Sequence, residues 1–523
     1  MPNHVKQWLC LFVLVVSHVA GAIAPLPSPA QWIPEDAVLC VELSNPKAVL
    51  DMLASDKALD TFKELPVYQN REDNPEFNEF ISGVKFLEAA LETRWKDALG
   101  ALTGGGITLA VCPDDIVILI VDAEDTALLK RLHNLVLNLT KADNGGPVSA
   151  EYLGVTGWSL DGKSAYALID QRVVFANKPE GLKKVLELRA QTEKANLASN
   201  VRYRSARDAV DSEATGRIYA DLALLKQIPD LAAVLDQGRS NPIAGLLFAG
   251  IIESIRNSNW LSLGLHVQDD TLAFKAHLDG KNLDTKGPAG FALPNQSSEG
   301  ALPNLSVPRG IASLSFYRDL FRFYNAKDEL FPERTSGLIF FENMMGIFFS
   351  GRDLTDEVLA QTRPEVRFVV AQQEYDPVHG TPQVQFPAFG LILRLHEEQS
   401  FDIVAEEAWQ KAVGLVNFTR GQQGMPGLII DRPIHNGTKF TVAYFSNASA
   451  DNDANQDARF NFRPAIAMPH NYLILTSTDG LACDLIDAVN NEVQKSNQPE
   501  TQNHTLAELN GQALASILQA NYR

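Results

Sequence analysis

The feature that most narrows the fold is an order of elements that occurs twice. In the first half, AVLCVEL (37–43) reads as a strand, and residues 45–65 carry helical spacing with Pro46 near the start. GGGITLAVC and DIVILIVD read as two strands around Pro113-Asp114-Asp115, a cluster of turn formers. AEDTALLKRLHNLVLNL follows as a helix with Asp125 or Thr126 at its N-cap. YLGVTGWSL, KSAYALID and RVVFAN are then three strands with tight turns, and KPEGLKKVLELRAQ closes the series as a helix. The second half returns to the same order: GIASLSF (310–316), the helix YRDLFRFYNAKDELF, FGLILRLH (389–396) and the helix SFDIVAEEAWQKAVGLV. TKFTVAYF, RPAIAM and YLILTST follow as strands, and DGLACDLIDAVN as a helix. Aligning 176–186 on 475–485 sets Gly181 opposite Gly480 and Leu182 opposite Leu481. The spacing from first strand to hairpin is about 75–80 residues in both halves, as expected of a repeat.

This order predicts an α+β protein: two related modules of antiparallel sheet with covering helices, arising from an internal duplication. The expected boundaries are a signal peptide at 1–22, a first module at 30–282, a linker or irregular crossing at 283–310, and a second module at 311–523. The crossing is rich in Pro, Gly and Ser and has no sustained period. GRIYADLALLKQI (216–228) is matched with GQALASILQANYR (511–523) as a further unit of each copy. Only the first copy continues, into PIAGLLFAGIIESIR and the hairpin WLSLGLHVQDDTLAFKAHLDG, so the second module is expected to be incomplete, by truncation or loss.

Lys6, the apolar run Trp8–Val16 and the small residues Ala20 and Ala22 form a signal-peptide pattern, too short to span a bilayer. Export and cleavage near Ala22 are expected, with the mature protein periplasmic, in the cell envelope or extracellular and without a transmembrane segment. Cys10 lies inside the apolar run and gives no support for a lipid anchor. Cys40, Cys112 and Cys483 remain; an odd number at wide spacing is no disulfide framework. Cys40 and Cys112 are expected as buried thiols, with one disulfide between them left open. A formal charge of −19 argues against nucleic acid and anionic membrane surfaces as partners.

Several motifs invite chemistry and are discounted. Gly157–Ser164 (GWSLDGKS) fits the P-loop pattern, but that loop needs a helix opening at its Lys. KSAYALID alternates like a strand, and Asp161-Gly162 reads as a two-residue type I′ turn, so Lys163 should start a return strand and bind no nucleotide. Asp451, Asp453, Asn455 and Asp457 resemble the start of a calcium loop, but Gln456 and Phe462 occupy the positions that need Gly and a bidentate Glu. No metal site is assigned. TGGG (103–106) precedes a strand, the reverse of a phosphate loop. Asp122, Glu124, Asp125 and the pair Glu397/Glu398 are expected as caps at strand-to-helix junctions. Ser82-Gly83-Val84-Lys85 matches S-x-x-K without its partner motifs. Asn138 and Asn436 head glycosylation sequons. IAGLLFAGII (243–252) is expected in the first module's core, with a lipid or partner groove as the lesser reading.

PEDAVLCVELSNPKAVLDML, RVVFANKPEGLKKVLEL and VPRGIASLSFYRDLFRFYNAKDEL resemble an exported bacterial family known as domain of unknown function 3352. The resemblance implies export and this architecture and brings no catalytic motif. No catalytic, cofactor-binding or metal residue, and no cofactor, is assigned. The expected role is a non-enzymatic binding or scaffold protein with an unknown protein or envelope component as partner. The alternatives are a hydrolase assembled from dispersed loop residues, or a carrier of an apolar ligand lined by 243–252.

Overall fold

The strand Ile116–Asp122 is apolar at nearly every position, yet its burial alternates, with Ile116, Ile118 and Ile120 closed off and Val117, Leu119 and Val121 half-buried. That alternation organises both halves of the protein. The computed structural model describes residues 26–55, 60, 75–144, 147–227, 242–268, 271–280, 284–294, 298–375, 381–397, 401–445, 459–495, 498–501 and 503–521. Residues 1–22, expected as a signal peptide, and 451–457, with the resemblance to a calcium loop, lie outside them.

The chain forms two units: residues up to Leu225 with Asn259–Asp279, and Lys226–Ser258 with Gly280 onward. The first unit runs β1 (Leu39–Leu43), α1 (Pro46–Leu53), α2 (Pro75–Leu91), α3 (Trp95–Thr103), β2 (Gly106–Cys112), β3 (Ile116–Asp122), α4 (Thr126–Asn144), β4 (Val148–Tyr152) and β5 (Val155–Ser159). It continues with β6 (Ala165–Ile169), β7 (Arg172–Ala176), α5 (Pro179–Ala190), α6 (Val201–Ala209), β8 (Gly216–Asp221) and the single turn α7 (Leu222–Leu225). The chain then gives α8 (Pro242–Asn257) to the second unit and returns with β9 (Trp260–Gln268) and β10 (Thr271–Leu278). All pairings are antiparallel, in the order β10-β9-β8-β1-β2-β3-β7-β6-β5-β4.

The second unit adds β11 (Gly300–Ala301), β12 (Gly310–Tyr317), α9 (Leu320–Asn325), α10 (Thr335–Phe348), β13 (Thr362–Ala371), β14 (Ala388–Leu395), α11 (Asp402–Gln422) and β15 (Leu428–Asp431). Then come β16 (Ile434–His435), β17 (Thr438–Phe445), β18 (Ala465–Ala467), β19 (Tyr472–Thr476), α12 (Asp479–Lys495), β20 (Glu500–Thr501), β21 (Thr505–Leu509) and α13 (Gly511–Asn521). Its main sheet is ordered β15-β17-β18-β19-β14-β13-β12-β21. The fold is therefore α+β with antiparallel sheets and covering helices.

Eight strands of each sheet follow one topology, β8-β1-β2-β3-β7-β6-β5-β4 in the first and β21-β12-β13-β14-β19-β18-β17-β15 in the second. Side chains repeat with it. Asn177 Oδ1 accepts the Val117 amide at 2.8 Å, and Ser477 Oγ accepts the Phe389 amide at 2.9 Å, both fastening the seventh strand to the third. Asp221 caps α7 through the Leu224 amide at 3.1 Å, and Asn510 caps α13 through the Ala513 amide at 3.1 Å. Asp170 and His470 hold the equivalent hairpin turns at φ 55° and 53°.

This register corrects the sequence alignment by one residue. Ala165 pairs with Ala176, and Ala465 with Thr476, so Val185 answers Leu485 and Gly181 answers Leu481. The two glycines are not equivalent: a Cβ on Gly181 would lie 2.8 Å from Ile116 Cγ2, whereas one on Gly480 would meet open space. The further unit is likewise shifted, because β21 (TLAEL), not GQALASILQANYR, answers β8.

One face of each sheet is closed by the helix after the seventh strand. Cys40, Ala110, Ile118 and Val174 pack with Val185 and Leu186 of α5 and with Tyr203 of α6. Val369, Ile392 and Ile474 pack with Leu485, Ile486 and Val489 of α12. Each such branched side chain contributes about 1.5–3 kcal/mol by burial. The segment expected as a linker is built into the second unit. Phe291 and Ala292 are buried in a 3-10 turn (Pro288–Ala292), and Leu302 and Leu305 join the main core.

Helix α8 departs from expectation most. It belongs to the second unit and not to the first module's core. Its buried positions are Gly245, Ala249, Gly250, Glu253 and Ser254, all small but the glutamate, while Leu247, Phe248 and Ile251 are exposed. A Cβ on Gly250 would lie 2.9 Å from His504 Nδ1 and 3.1 Å from the Ala292 carbonyl oxygen, so the close approach requires glycine.

Candidate ligand-binding surfaces

The sequence motifs resolve into structural roles. After Lys163 the backbone enters β6, so no helix opens there to cradle phosphate. The turn differs from the two-residue hairpin expected, because the strands pair only at Gly157–Ala167 and Trp158–Tyr166. Of the turn pair only Gly162 has positive φ, at 72°. The Asp161 carboxylate organises the loop, accepting the Lys163 amide at 2.9 Å, the Ser164 amide at 2.8 Å and the Ser164 hydroxyl at 2.8 Å. Those bonds hold its pKa down to about 2.

Asp125 caps α4 through the Leu128 amide at 2.9 Å, as expected. Asp122 does something else: it is buried and paired bidentately with buried Arg172, at 2.6 and 2.8 Å. The Arg172 guanidinium also lies 4.4 Å from the Trp32 ring centroid. Glu397 is exposed, and Glu398 lies outside the described residues. The TGGG glycines end α3 and pack on Glu124 and Asp122. Ser82 and Lys85 both lie along α2. Asn436 donates its amide to Asp487 at 2.7 Å, which ties down the sequon nitrogen, and Asp487 also meets His435 at 2.9 Å.

Cys40 and Cys112 are free buried thiols. Cys40 faces Ala110 on β2, so Cys112 is its diagonal neighbour. Diagonal Cα atoms in a sheet are about 7–8 Å apart, beyond ordinary disulfide reach. Burial pushes the Cys112 pKa up to about 12 and that of Cys40 well above the usual thiol range.

The second unit holds a polar cavity of about 570 Å³ at the N-terminus of α12. Its charges are largely satisfied within the cavity: Arg463 binds Asp479 at 2.8 Å, and Arg309 binds Glu374 and, at 3.1 Å, Asp484. Burial raises the Asp484 pKa against the opposing pull of Arg309. Arg459 stacks over Phe460, and Arg463 over Tyr444, at 5.0 and 5.3 Å. The first unit has a cavity of similar volume, lined by Glu35, Asp36, Lys184, Glu187, Lys194 and Arg202. With both signs of charge present, neither wall presents a one-signed field to draw in an ion.

The other face of each sheet is different. Register places Leu263, Ile218, Val41, Leu109, Leu119, Phe175, Tyr166 and Trp158 in one row across eight strands of the first unit. All are half-buried except Phe175, which is 37% exposed. His133 of α4 meets Trp158 edge-on at 4.7 Å at the end of the row. In the second unit the matching row is Ala507, Leu314, Phe368, Leu391 and Leu475, with Phe389 45% exposed beside it and stacked on Phe368 at 6.4 Å. An antiparallel sheet with one solvated face ordinarily alternates apolar with polar. Here both faces are apolar; in the second unit the second face is closed around Leu395, Ile466 and Leu473 by Leu354, Val358, Phe401 and Ala405, and is only partly covered near Phe368 and Phe389. Continuous apolar runs such as IVILIV carried this signal in the sequence.

No family model matches the chain, and no curated protein matches it. Among solved structures it is similar to one titled "Structure of crystal form I of TP0453", at 8% identity and a TM-score of 0.24, over 50% of this chain and 81% of the other. A likeness of that size carries no argument about fold or function.

Proposed function

We propose that this is an exported, non-enzymatic binding protein of the cell envelope that carries apolar ligands on the half-open faces of its two sheets. The observation that carries the reading is the apolar row that crosses eight strands of the first unit half-buried, with a shorter partly covered stretch at Phe368 and Phe389 in the second unit. Apolar surface of this kind gains roughly 25 cal/mol for each Å² removed from water, and an acyl chain or other apolar body would supply that cover. Repetition of strand order and of local hydrogen bonds supports internal duplication as its origin. Export and kinship with the family of domain of unknown function 3352 belong to the same proposal. They rest on the signal-peptide pattern and the three quoted segments.

This reading moves the ligand surface away from the 243–252 helix segment, where Phe331 packs against Gly245 and His504 and the Ala292 carbonyl against Gly250, leaving no space for a ligand. It is tested by purifying the full chain from a host that exports it, extracting with organic solvent and analysing the extract by mass spectrometry. Stoichiometric recovery of an apolar small molecule supports it. A ligand-free protein that also takes up no acyl chain when reconstituted with fatty acid or phospholipid would reject it.

A further inference from the structure

Strand β21 ends the second unit's sheet among the described residues. Its bonding to β12 can be read from two flanking contacts: the Tyr317 amide donates to the His504 carbonyl at 3.0 Å, and the Asn510 amide to the Ile311 carbonyl at 2.7 Å. In an antiparallel ladder, hydrogen-bonded pairs alternate with non-bonded ones. The peptide groups of Leu506 and Glu508 therefore turn toward β12, and the N–H and C=O groups of Thr505, Ala507 and Leu509 turn outward. In the first unit the corresponding residues are Gly216, Ile218 and Ala220, which lie opposite Leu265, Leu263 and Leu261 of β9. One unit thus fills with its own strand the place that β21 leaves open in the other.

The β21 edge has few of the devices that keep sheet edges from pairing. It has no proline, and its pairing with β12 shows no bulge. Its one charge, Glu508, points to the opposite face from Ala507 and Leu509, and Leu509 is 61% exposed. A strand added here would place alternate residues beside Thr505, Ala507 and Leu509, on the face that carries Leu314 and Phe368. Those residues should be apolar, as Leu261, Leu263 and Leu265 are. The intervening ones should be small, as Ser262 and Gly264 are.

We propose that the β21 edge is a strand-acceptor site, taking an extended segment of a partner polypeptide with apolar residues at alternate positions, antiparallel to β21, in the place β9 holds in the first unit. The site uses backbone edge groups and not the sheet face, so it stands or falls separately from the apolar-ligand reading. The probe is a labelled peptide with the sequence of residues 259–268, titrated onto the full chain by fluorescence anisotropy, with hydrogen exchange read at 505–509. Saturable binding with slowed exchange at Ala507 and Leu509 is expected. Ala507→Pro should weaken it at least about tenfold with little change in melting, because β12 does not use the Ala507 amide. Ala507→Val should retain it, and Leu509→Asp supplies a second disruption if the proline variant folds poorly. Binding that is absent, that is equal in Ala507→Pro and Leu509→Asp, or that protects β8 instead would overturn the proposal. So would a dimer in sedimentation that Ala507→Pro dissociates and the peptide does not, since the occupant would then be a second copy.

Discussion

Two buried cations in this protein are held in opposite ways, and they predict opposite behaviour. Arg172 has a carboxylate partner in Asp122. Removing one member leaves an uncompensated buried charge, so Asp122→Leu alone should cost about 3–5 kcal/mol in denaturant unfolding, while Asp122→Leu with Arg172→Met should recover most of it. Arg318 is equally buried but is held by carbonyl oxygens, those of Leu246, Leu247 and Tyr317, each at 2.7 Å. Burial pushes its pKa down to about 10. The same burial, with Arg318 nearby, lowers His504 to about 4, while its ring nitrogens meet the Ser254 and Thr505 hydroxyls. Below pH 6.5 the unfolded histidine takes up a proton that the folded one resists down to about pH 4. Stability from this group is therefore fully present above pH 6.5 and lost as pH falls toward 4, by an amount of order 3 kcal/mol. Replacing His504 with Gln should flatten that part of the stability–pH profile; an unchanged slope would show that the ring is solvated.

At the scale of elements, α8 separates apolarity from burial. Gly250→Ala gains up to about 1 kcal/mol in helix propensity, but its Cβ would press on His504 and the Ala292 carbonyl. Overpacking of about 1–3 kcal/mol should win, and the variant should melt lower. Leu247→Glu, on the exposed side, should change stability by less than about 0.5 kcal/mol. The sequence shows that 243–252 is apolar, but not which face is small enough to approach a neighbour, so its assignment to the first module's core fails. The strands that were read, such as β2, β3, β6, β7, β14 and β17, were legible because alternation and turn formers are local. The return strand after Lys163 was legible for the same reason, and the prediction is that added nucleotide shifts the melting of neither the wild-type chain nor Lys163→Ala, which itself should melt as the wild type does. Strands β4, β13, β15 and β21 were missed: VSAEY, LIID and TLAEL are short, β13 carries Arg363-Pro364-Glu365 near its start, and only pairing with their neighbours gives them a role.

Across the whole molecule, repetition is the organising fact. A recurrence of strands and helices could be seen in the sequence, but the full eight-strand order and its register could not. Glycine served as the anchor for alignment, while the structure aligns hairpin turns and buried helix positions such as Val185 with Leu485. The half-open faces were written in the unbroken apolar strands. A sequence cannot say which of two apolar faces a helix will close, because helix placement depends on connections far along the chain. The most direct measurement is equilibrium titration of the full chain with an apolar fluorophore such as N-phenyl-1-naphthylamine, against Phe175→Asp, Phe389→Asp and the double variant. Saturable binding to the wild-type chain is predicted, weakened in each single variant and lost in the double one at nearly unchanged melting temperature. Fluorophore binding that is undiminished in the folded double variant would contradict the account.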